Sequence, residues 1–76
     1  MNITVKLFAQ YREGRFKSEI RHYPEGTKAI EIIKELGIDE EALPLGVLLV
    51  NCCHQEELVE LKEGDILSLF PKVGGG

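Results

Sequence analysis

The sequence contains no tryptophan, a single methionine and only two cysteines, and the cysteines, Cys52 and Cys53, are adjacent. A disulfide between neighbouring residues is strained and closes almost no loop, so it cannot staple a small fold. Adjacent cysteines cannot easily chelate one zinc ion, only two histidines are present, and an iron–sulfur cluster would need four cysteines. We therefore expect no bound metal or cofactor, exposed Cys52, Cys53 and His54, and reduced thiols in a cytoplasmic protein.

Long apolar runs and clusters of positive charge are also missing. No segment approaches the roughly 20 apolar residues of a membrane span. The start, Met1–Thr4, lacks the basic and apolar stretches of a signal peptide. The nine Lys and Arg are scattered and outnumbered by thirteen Asp and Glu, which leaves a net charge of -4. We expect neither nucleic acid nor a membrane as a partner, and solubility as the main effect of the acidic surface.

The 76 residues carry the pattern of one small domain that begins with two strands. Alternating apolar residues predict a strand over 2–8 with one buried side. A second strand is predicted over 16–23, in which Ile20 is the buried side chain. The short turn between these strands implies an antiparallel hairpin.

A helix is predicted after the hairpin. Thr27 is the expected N-cap, because its hydroxyl can accept a backbone N–H of the first turn. Gly37 stands where a left-handed C-cap is favoured. One apolar stripe lies between them, at Ala29, Ile32, Ile33 and Leu36. A further turn is expected over Asp39–Leu43, ended by Pro44.

The second half of the chain reads as strands. The continuous apolar run over 46–51 predicts a central strand covered on both faces. Residues 58–61 could form a short edge strand, and 66–70 the last strand. A helix placed between strands must cross one face of the sheet. We therefore predict an α+β fold, a β-grasp (ubiquitin-like) mixed sheet of four or five strands with one main helix on one face, over residues 1–70.

The remaining residues, 71–76, are predicted to be a flexible glycine-rich tail. Pro71 cannot donate to a strand ladder, and Gly74, Gly75 and Gly76 lose the most entropy on ordering. The simplest interpretation is a frayed terminus. A tail without side chains could also thread a narrow tunnel and present the carboxylate of Gly76 at a distant active site.

Two stretches of the chain resemble the MoaD/ThiS sulfur-carrier family, and the resemblance covers nearly the whole length. Residues 5–13, Val-Lys-Leu-Phe-Ala-Gln-Tyr-Arg-Glu, are similar to the first strand and turn of small subunits of molybdopterin synthase. Residues 61–76, from Leu-Lys-Glu-Gly-Asp through Phe-Pro-Lys-Val-Gly-Gly-Gly, are similar to the family's last turn, strand and tail. The order Gly-Asp, apolar strand, Phe-Pro and terminal glycines is much more specific than a terminal Gly-Gly alone.

The resemblance implies a mechanism and two partners. An ATP-dependent adenylyltransferase, similar to ubiquitin-activating enzymes, would use ATP to adenylate Gly76, and sulfur transfer would give a thiocarboxylate. The tail would then enter the large subunit of molybdopterin synthase and supply sulfur to the pterin dithiolene. The chain itself would be a carrier, with the catalysis performed by its partners.

Two features of the tail keep the pathway open. Lys72 stands where the family usually has a second proline, and Val-Gly-Gly-Gly also ends thiamine-type carriers. Those carriers are usually shorter and lack the residue 8–13 stretch, which favours the molybdopterin branch. A carrier for thiamine or another sulfur metabolite, a modifier that is conjugated to lysines, and a plain interaction module remain alternatives.

The resemblance also points to a partner-binding surface. By alternation, Phe8 and Phe70 face outward on neighbouring strands and could form an apolar patch beside the tail. We predict that this patch binds partners together with Pro71 and Val73. The alternative is that one or both rings tuck under a loop.

Overall fold

The structure is a computed structural model that describes residues 1–72. It contains five strands and one α-helix: β1 (Asn2–Leu7), β2 (Ser18–His22), α1 (Ala29–Glu35), β3 (Leu45–Val50), β4 (Cys53–His54) and β5 (Ile66–Pro71). A single 3-10 turn, Ala9–Arg12, follows β1. Among the described residues, no helix is long and apolar enough to cross a membrane.

The five strands form one mixed sheet in the order β2-β1-β5-β3-β4. β1 pairs antiparallel with β2 and parallel with β5. β3 pairs antiparallel with both β5 and β4. This arrangement, with one helix on one face, confirms the β-grasp fold predicted from the sequence.

The core lies between the sheet and α1. Alternate residues of β1, beginning at Ile3, are fully buried, as the pattern of residues 2–8 predicts. The buried apolar side chains are Ile3, Val5, Leu7, Tyr11, Ala29, Ile32, Ile33, Leu48, Val50, Leu61, Leu67 and Leu69. The core residues of the sheet face α1, and since α1 is the one α-helix of residues 1–72, the opposite face of the sheet has no helix over it.

The helix begins one residue later than predicted, so Thr27 as its N-cap is wrong. Thr27 is buried, and its hydroxyl donates to the carbonyl of Pro24 at 2.8 Å. Lys28 occupies the N-cap position, and its N–H donates to the Glu31 carboxylate at 2.7 Å. At the other end Gly37 has φ of 72°, which confirms the predicted left-handed cap. The turn over Asp39–Leu43 is also present, since the Leu43 N–H donates to the Asp39 carbonyl.

The prediction of a short edge strand over 58–61 is wrong. The short strand at this edge of the sheet is β4, Cys53–His54. The carbonyls of Glu57 and Val59 instead accept the N–H groups of Ile30 and Ala29 at 2.8 and 3.1 Å. The first N–H groups of a helix have no partner inside the helix. This loop therefore satisfies the start of α1 and does not extend the sheet.

Two predictions about which side chains are buried are also wrong. Ile20 is 66% exposed, because it pairs with Thr4, whose side chain points away from the helix. β3 is covered on one face only: Val47 and Leu49 are half-exposed on the helix-free face. An unbroken apolar run thus reflects one buried face and one open apolar face.

Tyr23 joins β2 to the far end of α1. Its hydroxyl donates to the Glu35 carboxylate at 2.7 Å, and Arg21 also contacts that carboxylate at 3.1 Å. Burial of the ring, followed by the hydrogen bond to Glu35, raises the pKa of Tyr23 from 10.0 to about 12. The neutral phenol is therefore favoured in the folded chain.

We expect Tyr23→Phe to change how the free energy of unfolding depends on alkaline pH. Unfolded Tyr23 loses its proton near pH 10, whereas folded Tyr23 keeps it to about pH 12. Between these two pH values the unfolded state binds fewer protons than the folded state. The phenol's contribution to the free energy of unfolding is therefore complete below pH 10 and is lost as the pH rises to about 12. Below pH 10 the variant should be less stable by about 1 kcal/mol. Urea unfolding at several pH values should show this difference shrinking above pH 10, and a constant difference would contradict the assignment.

Candidate functional site

The helix-free face of the sheet carries an aromatic pair at the end where β1 and β5 finish. Phe8 and Phe70 stack with ring centroids 4.0 Å apart and an interplanar angle of 10°. Both residues are half-buried. The Phe8 N–H donates to the Leu69 carbonyl at 3.2 Å, which continues the pairing of β1 with β5 beyond Leu7. The predicted juxtaposition of Phe8 and Phe70 on neighbouring strands is therefore present, and both residues keep part of their surface exposed.

An apolar groove lies beside this aromatic pair. It encloses about 380 Å³ and is lined by Ala9, Val47, Leu49, His54, Phe70 and Pro71. Val47 pairs with Phe70, and Leu49 pairs with His54, so side chains of β3, β4 and β5 point to the same side of the sheet. An open surface of this kind is suited to receive an apolar side chain from another protein.

The other side of Phe8 is basic. The Arg12 guanidinium carbon lies 5.7 Å from the centre of the Phe8 ring, and Arg12 Nε donates to the Leu7 carbonyl at 3.1 Å. A cleft of about 230 Å³ adjoins this contact and is lined by Lys6, Phe8, Arg12, Lys17 and Ser18. The aromatic pair thus separates an apolar groove from a basic cleft.

The residues where the tail begins are attached to the sheet. Pro71 is buried, pairs with Leu45 and is the last residue of β5. The Lys72 N–H donates to the Pro44 carbonyl at 2.7 Å. The first two residues of the predicted tail therefore lie against β3. The predicted site residues Val73, Gly74, Gly75 and Gly76 lie outside the described residues, so the roles assigned to them remain predictions.

Sequence reasoning missed four residues around Pro71 and Lys72, which we call the tail base: Gly46, Val47, Leu49 and His54. For Val47 and Leu49 the sequence signal is the unbroken apolar run, which predicts burial on both sides of the strand. Gly46 and His54 had no local signal, because their position depends on contacts between strands.

The two cysteines lie at the opposite end of β3: Cys52 is in the tight turn to β4, and Cys53 is the first residue of β4. Both are exposed and unbridged, and Asn51 and Cys52 have positive φ values of 51° and 68°. This geometry suits a two-residue hairpin turn. Within residues 1–72, no group of three or more His, Cys, Asp or Glu is arranged to hold a metal ion.

Two carboxyl groups, those of Glu40 and Glu57, lie close together on two loops. A hydrogen bond from the protonated Glu40 carboxyl to Glu57 raises the pKa of Glu40, with burial as the second cause. The pair therefore joins the loop after α1 to the loop that covers the start of α1, away from the aromatic pair.

Comparison with known proteins agrees with this geometry. The sequence model of the ThiS family matches residues 5–76. None of the curated proteins matches the chain significantly by sequence.

Several solved structures are similar. A candidate molybdopterin converting factor subunit 1 from Pyrococcus furiosus is 28% identical, with a TM-score of 0.74 over 96% of this chain and 99% of that one. A chain of the complex between subunits 1 and 2 of the molybdopterin-converting factor from Helicobacter pylori is 26% identical, with a TM-score of 0.66 over the whole of both chains. SAMP1 from Haloferax volcanii, at 21% identity and a TM-score of 0.74 over the whole of both chains, shares the fold.

We expect the aromatic pair to stabilise the fold although it is half-exposed. Stacked rings are worth about 0.5–1.5 kcal/mol beyond the area they bury. A double-mutant cycle of Phe8→Ala and Phe70→Ala should therefore give a coupling free energy in that range by denaturant unfolding.

Ile66 provides the control, because it lies on the same face but pairs with Thr4 and not with Phe8. The effects of Phe8→Ala and Ile66→Ala should add to within about 0.5 kcal/mol. Equal coupling in both cycles would mean that the stack has no specific energy.

Proposed function

The chain belongs to the ThiS family of sulfur carriers, and from this membership we propose that the carboxyl group of Gly76 is its working group. An activating enzyme adenylates this carboxylate at the expense of ATP, and a sulfur nucleophile displaces AMP to leave a thiocarboxylate. The thiocarboxylate then donates its sulfur in the synthesis of molybdopterin. We place this work in the cytoplasm, where the exposed Cys52 and Cys53 would stay reduced.

One observation carries this proposal: the apolar surface of the helix-free face reaches the tail base. Phe70 belongs to both the aromatic pair and the groove, and Pro71 lines the groove at the point where β5 ends. A partner that seats on this surface holds the chain beside the origin of residues 73–76. Four extended residues reach at most about 14 Å. The surface and the chain end therefore suit a partner whose active site lies near its docking site.

The two proposed partners are an ATP-dependent adenylyltransferase and the large subunit of molybdopterin synthase. The relative from Helicobacter pylori is a complex of two subunits of the molybdopterin-converting factor, at 26% identity to this chain. Together with the 28% identity to the Pyrococcus furiosus protein, this relative favours the molybdopterin pathway over thiamine synthesis.

Mass spectrometry of the intact protein tests the chemistry. After incubation with the activating enzyme, ATP and a sulfur donor, we expect one terminal oxygen to be replaced by sulfur. Deletion of Gly76 should abolish this change and leave thermal unfolding unaltered, because the core residues all lie between Ile3 and Leu69. Sulfur transfer by the truncated chain would overturn the proposed role of Gly76, and a lysine conjugate would identify a protein modifier instead.

We expect Phe70→Ala to weaken the binding of both partners. A buried aromatic anchor at an interface contributes 2 kcal/mol or more, which corresponds to roughly a 30-fold rise in Kd. Calorimetry with the large subunit measures this change. Ile20→Ala is the matched control, because Ile20 lies on the same face but is 66% exposed and belongs to the edge strand β2. Equal losses in the two variants would contradict docking at the tail base.

The pathway is decided by a reconstitution with two acceptors. The thiocarboxylated chain should convert the pterin precursor to molybdopterin with the large subunit of molybdopterin synthase. It should give no product with the thiazole-forming enzyme of thiamine synthesis. Turnover with the second enzyme alone would reverse the assignment.

A further inference from the structure

The backbone of Lys72 makes an unusually close contact with Gly46 of β3. A Cβ atom placed on Gly46 would lie 2.8 Å from Lys72 Cα, 2.9 Å from Lys72 N and 3.0 Å from the carbonyl carbon of Pro71. Carbon atoms in favourable contact are about 3.5–4.0 Å apart. All three neighbours are main-chain atoms, so no side chain could rotate away. Only a residue without a side chain fits here.

Gly46 differs in this respect from the other four glycines of residues 1–72. Each of those four has a positive φ and open space where a Cβ would stand: Gly14, Gly26, Gly37 and Gly64. Glycine serves there because the backbone conformation is unfavourable for other residues. Gly46 has no positive φ. Its backbone would accept any residue, and the lack of space alone requires glycine.

A register shift in β3 and one hydrogen bond hold Lys72 at this place. The register shifts between Leu45 and Val47, which pair with Pro71 and Phe70, so Gly46 is an extra residue in β3. Pro71 has no N–H to donate, and the next N–H, that of Lys72, donates to the Pro44 carbonyl at 2.7 Å. We call these contacts of Lys72 with Pro44 and Gly46 the tail clasp.

We propose that Gly46 is a positioning residue for sulfur transfer: its missing Cβ lets the tail clasp form, and the clasp fixes the point from which residues 73–76 continue. The positioning role rests on the proposed function of Gly76. The clasp itself does not, and it can be measured in the isolated protein.

The clasp matters because a chain end must be ordered before it can react. Each residue that becomes free at the tail base has to be ordered again when the terminus enters an active site. The entropy of ordering one residue corresponds to roughly a tenfold loss in binding. Gly46→Ala opens the clasp and frees at least Lys72, so we expect the KM for the carrier to rise about tenfold. The kcat should stay the same, because the seated terminus is unchanged.

Trypsin provides a direct readout of the clasp, because it cuts after Lys72 and removes residues 73–76. Proteases require local opening of a bound segment. Native-state cleavage after Lys72, followed by intact mass, should be about tenfold faster in Gly46→Ala than in the unaltered protein. Gly64→Ala is the control for a general loss of stability: the same atom is added and meets nothing within 4 Å, but the φ of 82° makes the substitution unfavourable without any clash at Lys72. This control should leave both the cleavage after Lys72 and the KM unchanged.

The outcomes separate the two proposals. Faster cleavage together with a higher KM in Gly46→Ala alone supports the positioning role. Faster cleavage with an unchanged KM overturns that role, and unchanged cleavage overturns the clasp. If the unaltered protein never acquires sulfur, the proposed function of Gly76 fails and the positioning role falls with it, whatever the cleavage rates show.

A second measurement covers the case in which Gly46→Ala does not fold. Hydrogen exchange of the Lys72 amide in the unaltered protein reports its bond to Pro44 directly. Exchange at least about tenfold slower than in an unstructured peptide supports the clasp. Exchange at the unstructured rate would falsify it.

Discussion

The parallel pairing of β5 with β1 is the constraint on which the rest of the structure depends. Parallel neighbours need a crossover connection, and α1 lies in the chain between them. The crossover covers one face of the sheet and leaves the other face open. Because the two strands run in the same direction, they also end at the same edge. Phe8 and Phe70, each the residue after the paired Leu7 and Leu69, therefore stack where the chain leaves the sheet.

The features that could be predicted from the sequence are those fixed by short-range periodicity. The alternation in β1 and the stripe of α1 recur within one element, and Gly37 marks the end of the helix by its own backbone conformation. The features that failed depend on a distant partner. The face of Ile20 is set by its pairing with Thr4. The path of residues 57–59 is set by the unpaired N–H groups at the start of α1.

The candidate site divides in the same way. Phe8 and Phe70 could be found, because alternation gives their face and the family resemblance gives their neighbouring strands. The groove could not, because Val47 and Leu49 have the composition of a buried strand. Hydrophobicity alone does not distinguish a side chain that is buried in its own fold from one that is exposed and can bind a partner. Only the strand order, with α1 on one side, separates these two cases.

The glycine before Lys72 in the chain, at position 46, and the glycines after it, at positions 74–76, serve opposite purposes. At position 46 the missing side chain permits a tight backbone contact, which anchors the chain at the end of β5. At positions 74–76 the missing side chains belong to the proposed function, since a chain end without side chains can enter a narrow passage. Lys72, anchored through its backbone and exposed through its side chain, marks the boundary between the two. Since the core ends at Leu69, chemical change at the last residue need not alter the stability of the fold that carries it.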